Sequence, residues 1–154
     1  MKNQLGFSLV ELLIVVAIIA IIAAIAVPSL LTSKQAANEA GAIQGCRTVG
    51  SAEIAFAATN NQAYTDLSTL VTGNYLDSRF SSTGGFNGYT YAAATTITGT
   101  TLAGAPPTAF GFLATPSTGG GRYTYGIAPD QVVRYISGTP TPVGLAAGDP
   151  IGKQ

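Results

Sequence analysis

The chain has 154 residues, 9% of them charged, with seven basic and seven acidic side chains and neither histidine nor tryptophan. That length accommodates one long helix and one small globular head, not two domains. The neutral, weakly charged surface gives no support to polyanion binding, and without histidine the usual activator of a nucleophile or proton transfer is missing.

Residues 1–6 read as a leader carrying a single charge, Lys2. The stretch Gly6-Phe7-Ser8-Leu9-Val10-Glu11 then opens an apolar run to Leu31 in which Ser8, Glu11 and Ser29 are the only polar side chains. As a helix, 7–31 is roughly 37 Å long against a hydrocarbon core of about 30 Å, so it can span a bilayer. A secretory signal places its small-residue cleavage site after the apolar region, whereas here Gly6 precedes it. An ionised carboxylate in hydrocarbon costs about 2.5–3.5 kcal/mol, so Glu11 needs a partner, and Lys2 is the only basic residue before Thr32. Cleavage between Gly6 and Phe7 would free an amine at about the right depth. Along its own helix that amine is too close to be the ideal partner, but the amine of a neighbouring copy is free to approach. The bland alternative is an accidental charge at the end of an anchor.

Gly6-Phe7-Ser8-Leu9-Val10-Glu11, followed by an apolar helix containing Pro28, resembles the class III signal of bacterial type IV pilins and type II secretion pseudopilins. The resemblance implies cleavage after Gly6 by a prepilin peptidase, N-methylation of Phe7 and packing of the apolar helices into a filament core. It also implies that Glu11 neutralises the amine of Phe7 on an adjacent subunit, and that the helix unwinds locally around Pro28 in the filament. The simpler reading of Pro28 is a stop to the span, since proline removes a backbone donor and disfavours helix before it.

After Pro28 the helix is expected to continue to about residue 58. Ala36, Ala40, Ile43, Val49 or Gly50, Ile54 and Ala57 recur at helical spacing and form the expected buried face of its 32–58 half. Gly41, Gly45 and Gly50 each cost up to about 1 kcal/mol against alanine in a helix, which suggests flexibility or a closely approaching neighbour. Cys46, the only cysteine, reads as a small buried residue and excludes an intrachain disulfide, a departure from the many pilins that staple their C-terminal region. Asn60-Asn61-Gln62 should end the helix. Asp66 or Thr65 then caps a short helix carrying Leu67, Leu70 and Val71.

From Gly88 the pattern changes to period two. Tyr89–Ala92, Phe110–Ala114, Tyr123–Ile127 and Val132–Ile136 read as strands, with Ala128-Pro129-Asp130-Gln131 as a tight connection. The Thr-rich segment 95–101 and Gly119-Gly120-Gly121 are expected as loops, and 138–154 as surface coil. Asp66, Asp77, Asp130 and Asp149 are too dispersed for a calcium loop, which argues modestly for a pilus rather than a major pseudopilin. The tyrosines and phenylalanines read as packing residues rather than an electron path.

The expected class is α+β with the type IV pilin fold: a long N-terminal helix packed on an antiparallel sheet of about four strands. Its parts are a leader (1–6), a membrane or filament-core helix (7–31), an amphipathic half (32–58) and a head (59–154). The expected function is structural, as a type IV pilus subunit serving motility, adhesion or DNA uptake, with a type II secretion pseudopilin or minor pilin as the alternative. No catalytic residue, cofactor, metal or nucleic acid is expected. The implied partners are further copies in a helical homopolymer, the prepilin peptidase, the inner-membrane assembly machinery and, before assembly, the membrane itself, with the final location extracellular.

Overall fold

The computed structural model describes residues 7–82, 84–93, 96–97, 100–101, 110–137 and 149–151. Helix α1 runs unbroken from Leu9 to Thr59. Pro28 lies inside it, so the reading of Pro28 as a stop is corrected. Its missing N–H leaves the Ala24 carbonyl without its helical donor and its ring crowds that turn, a local cost that the continuous helix on either side of it, with Ala24, Ala26, Leu30 and Leu31 close by, absorbs. The chain divides into two compact units, the first ending at Lys34 and the second starting at Gln35. In the first, every described side chain from Phe7 to Lys34 is exposed.

In the second unit, the rest of α1 packs on a sheet of four main antiparallel strands. These are β1 (Tyr89–Ala93), β4 (Phe112–Pro116), β5 (Tyr123–Ile127) and β6 (Arg134–Ser137), hydrogen-bonded in that order. In-register pairs such as Tyr91 with Ala114 and Ala114 with Tyr125 put alternate residues on the helix side. Tyr89, Tyr91, Phe112, Ala114, Tyr125 and Ile127 thereby meet Ala42, Cys46, Val49 and Ala52 in one core. Phe110 and Gly111 fall before β4, with Phe110 turned against Tyr64 at a ring separation of 4.9 Å. Strand β6 starts two residues later than expected. Gln131 has a positive φ and the Val132 N–H donates to Asp130 Oδ1 at 3.1 Å, so the turn uses up the start of the run.

Three expectations are corrected. The Thr-rich segment is not all loop: β2 (Thr96–Ile97) and β3 (Thr100–Thr101) pair as a short antiparallel ladder, in keeping with the extended preference of β-branched residues. The tail is not all coil: β7 (Asp149–Pro150) adds to β6 as an edge, where proline's missing donor is tolerated. The remainder of the expected coil, 138–148 and 152–154, lies outside the described residues. The third correction concerns the buried face of α1. The residues inside are Glu39, Ala42, Gly45, Cys46, Val49, Gly50, Ala52, Glu53 and Ala57, while Ala36, Ala40 and Ile54 are exposed and Ile43 is half-buried. Val49, Gly50 and Ala57 are buried as expected, but elsewhere the buried stripe runs through 39, 42, 46 and 53, with two glutamates, each with a partner, inside it.

The helix ends as expected. Asn61 and Gln62 take left-handed backbone conformations, and the Gln62 N–H closes back on the Ala57 carbonyl at 2.9 Å. Asp66 caps helix α2 (Leu67–Thr72), accepting the Thr69 N–H at 2.7 Å, with Leu67 and Leu70 buried beneath. Gly45 and Gly50 mark close approach. A Cβ on Gly45 would overlap the Tyr91 hydroxyl, and one on Gly50 would meet Ile127 Cδ1 at 2.6 Å.

Candidate functional site at the N-terminus of the long helix

The expected site residues lie along one apolar segment. Gly6, the residue before the expected cleavage, is outside the described residues. Phe7 is 81% exposed and precedes the helix, and Ser8 is the last residue before the first turn. The Leu12 N–H donates to the Ser8 carbonyl at 3.3 Å, which opens the i to i−4 ladder. Glu11 is in that first turn and has no ion-pair partner among the described residues. Its carboxylate instead accepts the Ser8 N–H at 3.1 Å, while the Glu11 N–H donates to Ser8 Oγ at 3.2 Å. These reciprocal bonds are a capping box. The S-x-x-E spacing was legible in the sequence, but Ser8 was not read as Glu11's partner. Pro28 lies about 25 Å further along the helix axis and touches none of these groups.

From Leu9 to Leu31 the helix is long and apolar enough to cross a membrane, and none of its most apolar stretch is buried within the chain. Large apolar side chains with no intrachain partner over such a length need lipid or other helices around them.

The 32–58 half of α1 carries two buried carboxylates that sequence reasoning did not single out. Burial alone would raise Glu39, but the Arg122 guanidinium and backbone N–H outweigh it and hold the carboxyl below its ordinary range. Glu53 is fully buried and, among the described residues, accepts only the Thr65 N–H, at 3.1 Å. Burial pushes it up from an ordinary 4.5 to about 7, the Thr65 N–H opposing and nearby Asp66 adding to the rise. A raised carboxyl favours the neutral form in the folded state, so stability from Glu53 is complete below about pH 4.5 and is lost as pH rises through about 7. Glu53→Gln should retain the bond to Thr65 and remove that dependence. Thermal unfolding of the detergent-solubilised variant should then vary less between about pH 5 and pH 8 than that of the parent, the difference reaching up to about 3 kcal/mol. Equal pH profiles would show that Glu53 is not the titrating group.

Cys46 is buried as expected, 1% exposed beneath Ala114, and burial pushes its thiol up to about 12, so it packs and does not react. Among the described residues no three His, Cys, Asp or Glu side chains come close enough to hold a metal.

An exposed apolar helix, continued by a half that packs on an antiparallel sheet, defines an α+β chain whose N-terminal segment is suited to membrane anchoring. Residues 1–27 match the prokaryotic N-terminal methylation motif, a span that holds Gly6, Phe7, Ser8 and Glu11 and stops one residue short of Pro28. This class III signal is the signature of the type IV pilin family, and the architecture around it is pilin-like. The signature points to a structural protein and implies processing by a prepilin peptidase. Comparisons with curated proteins and with solved structures find no match.

Proposed function

We propose that this chain is the precursor of a type IV pilus subunit. It is held in the bacterial inner membrane by 7–31, cut after Gly6, N-methylated on Phe7 and polymerised by the inner-membrane assembly machinery into an extracellular fibre. The observation that carries this reading is a wholly exposed apolar helix whose one carboxylate, Glu11, lies at its N-terminal end beside the matched processing signal. Polymerisation moves that helix from lipid to other helices with little gain from hydrophobic transfer, so packing and the pairing of Glu11 with the neighbouring Phe7 amine select the register. At Pro28 the bond already missing at Ala24 makes this the easiest place for the helix to unwind as subunits pack. The 32–58 half carries the 59–154 head, which faces outward in the fibre.

Mass spectrometry of fibres sheared from cells tests the proposal by quantifying the chain and reading its N-terminal peptide. Dominance of the fibre fraction with methylated Phe7 at the N-terminus is expected. Processing at Phe7 with retention in the membrane would assign the chain to the pseudopilins or minor pilins instead. An intact leader on the mature protein would overturn the filament reading.

A further inference from the structure

The Ser8–Glu11 box does more than start a helix. Both its bonds lie on the C-terminal side of the Gly6–Phe7 peptide, so cleavage leaves them intact and creates the new amine one residue upstream of the capping serine. The box fixes the Glu11 side chain back over the helix end, where the unpaired backbone N–H groups favour negative charge. It also satisfies two backbone donors which, once in hydrocarbon, would each cost several kcal/mol if left bare. One carboxylate oxygen, Oε2, is engaged by the Ser8 N–H, and Oε1 accepts nothing among the described residues.

We propose that Ser8 is a positioning residue for assembly. It pins Glu11 so that one carboxylate oxygen seals its own helix start while the other faces outward to receive the Phe7 amine of the neighbouring copy. The inference rests on the proposed Glu11–Phe7 pairing, and the variants below separate the two.

A capping box accepts Glu or Gln at its third helical position, so Glu11→Gln keeps the box and loses the charge, whereas Ser8→Ala keeps the charge and loses the box. In full-length protein expressed in the native host, Ser8→Ala should be inserted and cut at Phe7 normally. Its fibre yield should fall about five- to tenfold, the scale of a lost cap. Ser8→Thr should restore the yield, and Ser8→Val, of the same shape without the hydroxyl, should not. In a Glu11→Gln background, Ser8→Ala should cause little further loss, because no charge is left to position. Equal yields from Ser8→Thr and Ser8→Val, or a Ser8→Ala yield matching the parent, would overturn the proposal. So would loss of processing in Ser8→Ala, which would place Ser8 in peptidase recognition. Normal fibres from Glu11→Gln would instead sink the underlying charge pairing, whatever Ser8 does.

Discussion

Glu11→Ala and Glu11→Leu are expected to insert and to be cut after Gly6, yet to yield at least about tenfold fewer pure mutant fibres. Removing the carboxylate relieves a burial cost of about 2.5–3.5 kcal/mol, so membrane insertion gets easier rather than harder. On the proposed pairing with the neighbouring Phe7 amine, what disappears is the reason for one helix to stop at a particular height against the next. The apolar side chains from Leu12 to Val27 are Leu, Ile, Val and Ala throughout, and any of several offsets would pack them comparably. A single charge seeking a single amine distinguishes one offset from the rest. Both substitutions also break the box with Ser8, so comparison with Glu11→Gln divides the loss between charge and helix start. Quantifying sheared fibres alongside the N-terminal peptide of the membrane fraction checks the result. Normal fibre yield from Ala or Leu would remove Glu11 from assembly altogether.

The second large effect is expected where α1 meets the sheet, at Gly45. On helix propensity alone Gly45→Ala would gain up to about 1 kcal/mol. The added Cβ, however, would overlap the Tyr91 hydroxyl and lie 2.6 Å from its ring Cζ. Tyr91 has little freedom to retreat. It sits at the centre of β1 opposite Ala114, its ring packs edge-on against Phe80 at 4.9 Å, and it is buried. Overpacking a core costs typically about 1–3 kcal/mol, so Gly45→Ala should be destabilising on balance and Gly45→Val more so, lowering the melting temperature by roughly 5–10 °C. The buried Tyr91 hydroxyl has no hydrogen-bond partner among the described residues, so Tyr91→Phe alone should be neutral or stabilising and should recover part of the Gly45→Ala loss. Thermal melts of the two single variants and the double variant test this. Unchanged stability in Gly45→Val would mean that helix and strand do not meet at Gly45.

Several elements were legible because their signals act over a few residues. The apolar run, the S-x-x-E spacing, the Asn60-Asn61-Gln62 stop, the Asp66 cap and the period-two strands are each decided by neighbours within one helical turn or one strand pair. The buried face of α1 depended instead on residues far apart in the chain. Glu39 reads as a solvent-facing charge until Arg122, 83 positions away, is folded against it, and Glu53 until the Thr65 N–H closes over it.

The sequence by itself determined the apolar N-terminal helix and its methylation motif, because both are written in consecutive residues. Only the tertiary structure decided which face of α1 is buried, why Gly45 must lack a side chain and that Asp149–Pro150 extends the sheet. Each of those depends on what the fold brings opposite, since a buried carboxylate is tolerated, and a glycine required, only by virtue of a partner that local sequence does not contain.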